Sequence, residues 1–410
     1  MTRRRPLERD AGEVPSLPLA GIRVLDIATL FAAPWAASYL GEFGADVIKV
    51  EQPRVGDHQR RWGTRKDGRA LFWKSIARNK RCVTLDLRTP KGAALFRRLA
   101  AQADVVIENF RPGTLERWGL DYATLSAENP GLVMLRVSGY GQTGPYRERP
   151  GFGTLAEAMS GFSHLTGEQD GPPTLANLPV GDGFAAITGA FAVMVALYHR
   201  DVNGGRGQVI DLSLVEPLLR LSEPALLDYD QLGVALERMG NRSAHVAPRN
   251  TYRCGDGRWV ALSASAQSIF ERLVRAIGRP EMIEDPRFST NAARVENVVE
   301  LDGIIGGWMG ARPRAEVLAA MEAAEVAVGP VYDVPSIFAD PHLQARETLI
   351  PVQDPDFGEM RLISPLPRFS ETPGVLRFTG PHLGAHNAEV FGELGLSAEE
   401  IEQLRDEEVL

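Results

Sequence analysis

Short apolar runs alternate with amphipathic stretches along the first half of the chain. Residues 22–27 and 45–50 predict buried strands, and the small residues 33–43 between them predict a helix that ends at Gly44. A strand, a helix and a strand within about thirty residues make a βαβ unit, which requires parallel pairing. The pattern then repeats. Further strands are predicted at 82–87, 104–110, 132–137 and 208–212, and a helix that opens at Thr89-Pro90 runs to residue 103.

The longest apolar run, residues 184–198, directly follows the segment Leu178-Pro179-Val180-Gly181-Asp182-Gly183. The run is too long for an ordinary strand and is apolar on nearly every face, so it predicts a buried helix with Asp182 at its cap. A cap contributes about 1 kcal/mol, and it is the simpler interpretation of Asp182. The flanking glycines also leave room for a ligand, and a helix N-terminus favours an ionised carboxylate that can act as a nucleophile. Both interpretations are open on these residues alone.

The pattern changes near residue 223. A polar linker leads to a predicted hairpin with strands 251–254 and 259–263, turned at Gly255-Asp-Gly257. Amphipathic helices follow near 268–277, 295–309 and 315–324, which predicts a second, smaller α+β domain. Strand-like pieces at 349–352 and 360–363 come before a terminal helix with the capping box Ser397…Glu400. A chain of 410 residues exceeds what one core usually serves, so two domains are expected.

Composition narrows the class of protein. The net charge of −8 argues against a nucleic-acid surface, and the only cysteines, Cys82 and Cys254, suit a reducing compartment and form no CxxC site. No apolar run reaches the ~18 residues without a charge that a membrane span requires. The polar leader, with Arg3-Arg-Arg5, lacks the apolar core of a signal peptide. We therefore expect a cytoplasmic protein that binds neither nucleic acid nor membrane.

Several catalytic motifs are missing from the sequence. Neither GxGxxG nor GxxxxGK[ST] occurs between a strand and a helix, which disfavours a nicotinamide or flavin dinucleotide enzyme. The sequence has no GxSxG elbow, no HExxH and no histidines with metal spacing, so no serine hydrolase and no metal site is expected. One ligand candidate is Glu108-Asn109-Phe110-Arg111-Pro112-Gly113 with Arg117, because ligands of open α/β sheets bind beyond the carboxyl ends of strands. This turn could hold an adenine and its phosphates, or be only a polar loop.

Eight segments, spread in order over nearly the whole chain, resemble the class III CoA-transferases, the family of formyl-CoA:oxalate and carnitine CoA-transferases and of α-methylacyl-CoA racemases. The segments are Leu19-Ala-Gly-Ile-Arg-Val-Leu-Asp26, Gly44-Ala-Asp-Val-Ile-Lys-Val-Glu51, Asn79-Lys-Arg81 with Leu85-Asp86, Glu108-Asn109-Phe110-Arg111-Pro112-Gly113, Ser138-Gly-Tyr-Gly141, Gly181-Asp182, Gly204-Gly-Arg-Gly-Gln208 and Gly380-Pro-His-Leu-Gly384.

The resemblance implies an α/β fold: a Rossmann-like large domain with a parallel sheet, a smaller α+β domain, and two protomers interlocked as a homodimer. The domains expected on this basis are 1–222, which binds CoA, 223–330, and a segment 331–410 that returns to the large domain. Asp182 matches the family's nucleophilic aspartate. The implied reaction moves CoA from an acyl-CoA donor to a carboxylic acid through an aspartyl anhydride and an aspartyl-CoA thioester. Succinyl-CoA is the expected donor because the family often uses it, and CoA acts as a substrate rather than as a tightly bound cofactor.

The family's contacts carry over to single positions of this sequence. The matching CoA contacts are Ala32, Leu85, Arg88, Asn109, Phe110, Arg111 and Arg117. Arginine suits the CoA phosphates because its planar fork binds phosphate through two hydrogen bonds. Phe31 stands where the formyl-CoA enzyme has a glutamine, which implies a less polar or larger acyl pocket. A glycine-rich loop of the family's second domain, which covers the site, corresponds here only to Gly240-Asn241.

Phe152 distinguishes the transferases from the racemases within the family that the sequence resembles. The racemases have a histidine at this position, and racemisation needs an acid and a base on opposite faces of the α-carbon. Phenylalanine here favours transfer over racemisation. Two alternatives are kept: an acyl-CoA racemase or epimerase of the same fold, and a non-catalytic acyl-CoA-binding protein in which Asp182 only caps its helix.

Overall fold

The computed structural model describes residues 17–410, so the leader with Arg3-Arg-Arg5 lies outside the described residues. The chain packs into two compact units. The first contains the described residues up to Ser160, Ala176–Leu221 and Glu347–Leu410, and the second contains Gly161–Leu175 and Ser222–Arg346. This division differs from the expected one, because residues 161–175 and 331–346 belong to the second unit. Local bonds explain both differences: Gly240 N–H donates to the Gly167 carbonyl, and Val331 N–H donates to that of Trp259.

Ten of the thirteen strands in the described residues lie close to predicted positions, whereas β3, β4 and β11 were not predicted. They are β1 (Arg23–Asp26), β2 (Asp46–Glu51), β3 (Arg65–Lys66), β4 (Arg69–Ala70), β5 (Lys80–Thr84), β6 (Val105–Glu108), β7 (Val133–Ser138), β8 (Val209–Ser213), β9 (Arg249–Arg253), β10 (Trp259–Ser263), β11 (Val328–Pro330), β12 (Leu349–Asp354) and β13 (Gly358–Ile363).

The α-helices are α1 (Ala32–Glu42), α2 (Leu71–Ile76), α3 (Pro90–Ala100), α4 (Thr114–Arg117), α5 (Tyr122–Glu128), α6 (Gly153–Met159), α7 (Phe162–Leu165), α8 (Val180–Tyr198), α9 (Glu216–Leu221), α10 (Glu223–Leu232), α11 (Gln267–Ala276), α12 (Asn291–Glu296), α13 (Val298–Gly310), α14 (Arg314–Ala323), α15 (Val334–Ala339), α16 (Pro341–Ala345), α17 (Asn387–Glu393) and α18 (Ala398–Asp406). Short 3₁₀ turns span His58–Arg60 and Pro280–Ile283, and a π turn spans His199–Gly204.

The first unit is built on the predicted parallel sheet. Its six strands lie in the order β5-β2-β1-β6-β7-β8, all parallel. Counted along the chain this is 3-2-1-4-5-6, an order of doubly wound α/β sheets whose ligand crevice lies beyond strands 1 and 4. Here those strands are β1 and β6. Successive side chains alternate between the sheet faces, with Val24 in the core that includes α1 and α8 and Leu25 in the core that includes α3 and α17.

Small residues bring α8 close to α1. A Cβ on Gly189 would lie 3.6 Å from the Cβ of Ala36, and Ala185 is fully buried. The predicted helix forms, but it is buried on one face only. Its other face exposes the apolar side chains of Phe184, Ile187, Phe191, Met194, Val195 and Tyr198. We call these six residues the α8 outer face.

With the π turn, α8 is the one helix among residues 17–410 long and apolar enough for a membrane span, and 44% of its most apolar window is buried. Core helices of soluble proteins meet the same criterion, so this is weak evidence for a membrane.

Strand β5 lies at the edge of the sheet, and side chains from far along the chain cover its free side. Cys82 N–H donates to His386 Nδ1 at 3.1 Å, and Thr84 N–H donates to Asn387 Oδ1 at 2.8 Å. His386 N–H in turn donates to the Cys82 carbonyl at 2.9 Å. An edge covered in this way offers few free groups to another strand.

The second unit contains the predicted hairpin, whose strands β9 and β10 pair antiparallel, with β11 on the other side of β10. The helix predicted at 295–309 is two helices, α12 and α13, which meet at Asn297. The side chain of Asn297 donates to the Ala293 carbonyl and so competes with the backbone for it. In the first unit, α18 begins with the predicted capping box, since Ser397 and Glu400 bond each other's backbone N–H groups.

Candidate active site

The Asp182 carboxylate lies inside the first turn of α8 and does not cap it. The helix begins at Val180, and Pro179 at the cap makes no side-chain bond. The interpretation of Asp182 as a helix cap is therefore wrong. The position still lies within the turn where the helix dipole favours an anion.

A second helix N-terminus meets this carboxylate. The backbone of Ala32, the first residue of α1, hydrogen-bonds to Asp182. Phe31 at the cap of α1 makes no side-chain bond, so it leaves the free N–H groups of that helix end to other partners. Asp182 thus accepts a hydrogen bond at the start of one helix while it lies in the first turn of another.

Helix α6 fixes the carboxylate from a third side. A Cβ on Gly153 would lie 2.4 Å from Asp182 Oδ2, so only glycine leaves this space free. One turn later, Glu157 is buried, with 4% of its surface exposed, and its Oε1 accepts the Gly181 N–H at 3.2 Å. Gly181 must also lack a side chain, because a Cβ there would lie 2.9 Å from the Gly153 carbonyl oxygen.

The surroundings of Asp182 raise its basicity. Burial raises the pKa of Asp182 to about 6, the Glu157 carboxylate adds to the rise, and the hydrogen bond from Ala32 opposes it. The carboxylate is therefore mostly ionised at neutral pH and more basic than an ordinary aspartate. A more basic carboxylate is a better nucleophile toward a thioester carbonyl.

Asn109 joins the two loops at the crevice of the sheet. Thr29 N–H donates to Asn109 Oδ1 at 2.8 Å, and Asn109 Nδ2 donates to the Thr29 carbonyl at 2.7 Å. Nearby, Leu30 N–H donates to Asp57 Oδ1 at 3.1 Å. These bonds hold the loop that leads into Ala32.

A buried charge network lies beneath the same loop. Lys49 Nζ lies 3.4 Å from Asp26 and 3.1 Å from Asp57, and Lys80 Nζ lies 2.8 Å from Asp26, with all four side chains almost fully buried. Burial alone would raise the pKa of Asp26, but Lys49 and Lys80 outweigh burial and the pKa is lowered. Both lysines also donate to carbonyls of the loop region, Lys49 to Ala28 and Lys80 to Pro34.

A cavity beyond the strand ends is lined by three of the expected CoA contacts, Leu85, Arg88 and Phe110, together with Thr29 and Trp118. The strand predicted to reach residue 87 ends at Thr84, because Asp86 Oδ1 accepts the Arg88 N–H and turns the chain. The Asp86 carboxylate also binds the Arg88 guanidinium through bonds of 2.8 and 2.7 Å. The ring of Phe110 packs edge to face on Trp118, with centroids 5.1 Å apart.

The two other arginines lie on the surface after β6. Arg111 is exposed, and within residues 17–410 no carboxylate pairs with it. Arg117 is exposed and donates to the Thr114 hydroxyl at 3.1 Å. Neither side chain lines the cavity that holds Leu85, Arg88 and Phe110. Residues 17–410 contain no group of three or more His, Cys, Asp or Glu side chains placed to hold a metal ion.

The comparisons with known proteins decide the family. The model of CoA-transferase family III matches residues 19–387. The chain belongs to CoA-transferase family III. It is 45% identical to succinyl-CoA–D-citramalate CoA-transferase of Chloroflexus aurantiacus, over 97% of this chain and 99% of the relative. The succinyl-CoA–L-malate CoA-transferase beta subunit of the same organism is 44% identical, over 97% of this chain and 100% of the relative.

Solved structures agree on the fold. The crystal structure of a CAIB/BAIF family protein from Brucella suis superposes with a TM-score of 0.80 at 36% identity, over 93% of this chain and 100% of that chain. The expected α/β fold with a central parallel sheet is thereby confirmed. The chain is a CoA-transferase, which excludes the alternative of a non-catalytic binding protein.

The three expected pocket residues of this transferase have different surroundings. Phe31 packs against Trp62 and Phe72, with ring centroids 5.3 and 5.5 Å away. Phe152 caps α6 beside Gly153 and is 59% exposed. Gly240 belongs to the second unit, where it has a φ of +64° and a Cβ would lie 2.9 Å from Glu168 Oε2.

Sequence reasoning missed Glu157 and the role of Gly153. The signal was present, since Glu157 is the only charge in α6 and lies four residues after Gly153, which places both on one helix face. What the sequence does not show is that this face packs on the start of α8, 24 residues further along the chain.

Proposed function

We propose that this transferase moves CoA from succinyl-CoA to a second carboxylic acid with Asp182 as the nucleophile. The observation that carries the proposal is the Asp182 carboxylate held between the start of α8, the Ala32 N–H and Glu157. Two relatives, at 45% and 44% identity, are named for succinyl-CoA with D-citramalate and with L-malate. A hydroxy-dicarboxylate is therefore the acceptor class to test first.

The proposed reaction transfers CoA through an anhydride and a thioester on Asp182. The Asp182 carboxylate attacks the thioester carbonyl, the C–S bond breaks, and CoA leaves as thiolate from a mixed anhydride. The thiolate then attacks the aspartyl carbon of the anhydride, which releases succinate and forms the aspartyl-CoA thioester. The acceptor carboxylate attacks that thioester, and the same two steps in reverse give the new acyl-CoA and free Asp182. Each step exchanges one activated acyl bond for another, so the free energy of the thioester is conserved.

Ala32 N–H is the proposed donor for the negative charge that develops on the Asp182 side. When the thiolate or the acceptor attacks the aspartyl carbon, the carbonyl oxygen becomes an oxyanion, and a fixed backbone N–H stabilises it without reorganisation. Asn109 and the buried network of Asp26, Lys49 and Lys80 support the loop that carries this donor.

The first unit is the proposed Rossmann-like CoA-binding domain. Leu85, Phe110 and Arg88 line its cavity, and Asn109 shapes the crevice through Thr29. The exposed side chains of Arg111 and Arg117 are the proposed phosphate contacts. Phe31, with Trp62 and Phe72, gives the Asp182 region an apolar border suited to the acyl chain, and Phe152 and Gly240 are kept as proposed pocket residues.

The α8 outer face is the proposed contact with a second protomer in an interlocked homodimer. Six large apolar side chains on one helix face are too many to leave in water without a partner. The name of one relative as a beta subunit adds a related second chain as the other possible occupant. A cytoplasmic location is proposed on the two buried free cysteines, which suit a reducing compartment.

Mass spectrometry of the quenched protein and of its peptides tests the nucleophile directly. The protein is mixed with succinyl-CoA, quenched in acid and digested, with the Asp182→Ala variant treated in parallel. A CoA adduct on the peptide that holds Asp182, absent from D182A, is expected. An adduct on another residue, or turnover by folded D182A, would overturn the assignment.

A further inference from the structure

Glu157 places a second buried carboxylate beside Asp182, and the chemistry above does not use it. Its Oε1 accepts the Gly181 N–H, and 4% of the residue is exposed. Within residues 17–410 no lysine, arginine or histidine lies in salt-bridge distance of Glu157. A buried carboxylate without a cation costs free energy, and that cost calls for an explanation.

Charged side chains of β7, β8 and α9, three other elements packed against α8, make contacts of their own. Arg136 of β7 pairs with Glu108 and Glu116. Asp211 of β8 accepts the Gln142 N–H at 2.9 Å, and Glu216 of α9 accepts the Ser213 hydroxyl at 2.7 Å. Among the described residues, Glu157 is the charged side chain whose repulsion contributes to the raised pKa of Asp182.

We propose that the charge of Glu157 drives the acylation of Asp182, a role that rests on the proposed nucleophile. The overall half-reaction converts the Asp182 carboxylate and an acyl-CoA into a neutral aspartyl-CoA thioester and a free donor carboxylate. The negative charge thus leaves the site with the donor acid. Glu157 repels the carboxylate at the start of this exchange and has no charge to repel in the anhydride or the thioester.

Protonation and acylation of Asp182 respond to a neighbouring negative charge in the same way. Protonation and acylation both remove the charge of the carboxylate, so a neighbour that opposes the charge favours both. The raised pKa of Asp182, to which Glu157 contributes, is the protonation side of the same effect. For acylation, the same repulsion raises the equilibrium constant for forming the aspartyl-CoA thioester.

Two substitutions separate the charge of Glu157 from its contacts. Glu157→Gln keeps an oxygen that can accept the Gly181 N–H and removes the charge. Glu157→Asp keeps the charge and shortens the side chain. Glu128→Gln, at the exposed end of α5, is the control for the loss of one negative charge from the protein.

The test measures the ratio of CoA-bound to free enzyme. Each variant is equilibrated at pH 8 with fixed concentrations of succinyl-CoA and succinate, and intact masses are read after an acid quench. We expect E157Q to lower the ratio about tenfold, the equivalent of one pKa unit of interaction. We expect the acid limb of kcat/KM in E157Q to move to lower pH, E157D to stay near wild type, and E128Q to change neither quantity. Glu157→Met is the second neutral variant if E157Q does not fold.

The outcomes separate the two proposals. An unchanged ratio and pH profile in E157Q, with an adduct on Asp182, would overturn the role of Glu157 and leave the nucleophile standing. Equal losses in E157Q and E157D would also overturn it, since packing and not charge would then be responsible. No adduct on Asp182 in wild type or in any variant would overturn the proposed nucleophile itself.

Discussion

The Asp182 carboxylate occupies the space that a side chain on Gly153 would need, because a Cβ there would lie 2.4 Å from Oδ2. Because Gly153 has no Cβ, helix α6 leaves room for the carboxylate to point in this direction. Nothing in the backbone of Gly153 itself demands glycine, since its φ is not positive. Glycine is required at this position because the side chain of Asp182 fills the space that a larger residue would need.

Gly153→Ala tests this relationship. The added methyl group forces the carboxylate to move by about 1 Å, and a displacement of that size can cost about 100-fold in rate. We expect kcat to fall by about that factor while KM for succinyl-CoA changes little, measured by steady-state kinetics. Gly392→Ala in α17, where a Cβ meets nothing within 4 Å, is the control. Equal kinetics for both variants would contradict the close contact.

Asp182→Asn is expected to stabilise the protein at alkaline pH. Asp182 has a pKa of about 6 instead of 3.8. The folded state therefore keeps a proton that the unfolded state loses between pH 4 and 6, and stability falls as pH rises through this range. A pKa rise of about two corresponds to about 3 kcal/mol, which D182N should regain at pH 8 and not at pH 4. Urea unfolding at both pH values measures it, and a pH-independent difference would contradict the raised pKa.

The three arginines that are proposed to contact CoA should contribute unequally to its binding. Arg111 has no carboxylate partner among the described residues, whereas Arg88 is already held by Asp86 through two bonds. We expect Arg111→Ala and Arg117→Ala to raise KM for succinyl-CoA about tenfold each, as the loss of a charged hydrogen bond implies, and Arg88→Ala to raise it less. Arg405→Ala, in an exposed pair on α18, is the control. With 3′-dephospho-succinyl-CoA, the variant that lacks the 3′-phosphate contact should match wild type.

Asp26→Asn should destabilise the first unit strongly. The substitution leaves Lys49 and Lys80 buried without their shared carboxylate, and breaking a buried pair costs about 3–5 kcal/mol. Because the pKa of Asp26 is lowered, its contribution is present above its ordinary pKa of 3.8 and is lost as pH falls through the lower folded value. Urea unfolding measures the loss. Glu402→Gln, in an exposed ion pair with Arg405, should cost less than about 1 kcal/mol.

Phe191→Glu should separate the protomers if the α8 outer face is a contact between copies. Phe191 is 68% exposed, and a charge there would be buried by a second chain. We expect a dimeric mass for wild type and a monomeric mass for F191E in light scattering after size exclusion. Ala398→Glu adds the same charge at the exposed start of α18 and should leave the mass unchanged. A monomeric wild type would refute the proposed contact.

Local patterns predicted the local structure. Apolar runs marked the parallel strands, Gly255-Asp-Gly257 marked the hairpin between β9 and β10, and Ser397 with Glu400 marked the start of α18. Each of these signals lies within a few residues, where propensity and side-chain bonding decide the conformation. The start of α8 was misplaced by three residues, which changed Asp182 from a cap to a side chain inside the first turn.

Contacts between distant segments could not be predicted in this way. Asn109 and Thr29 are 80 residues apart, and their two hydrogen bonds depend on β1 and β6 being neighbours in the sheet. The charges Asp26 and Lys49 stand out within apolar strands, but only the parallel register brings their side chains together. For the α8 outer face the sequence predicted burial that this chain alone does not supply, because an apolar composition does not show which surface covers each residue.

The side chains that cover the free edge of strand β5 are synthesised long after the strand itself. Thr84 and Asn387 are separated by 303 residues, so translation at 5–20 residues per second delivers the partner about 15–60 s after the strand itself. During that interval the β5 edge of the sheet stays uncovered, and an uncovered edge pairs readily with strands of other chains. The order in which the sequence is synthesised therefore makes the C-terminal segment the step that ends this exposure.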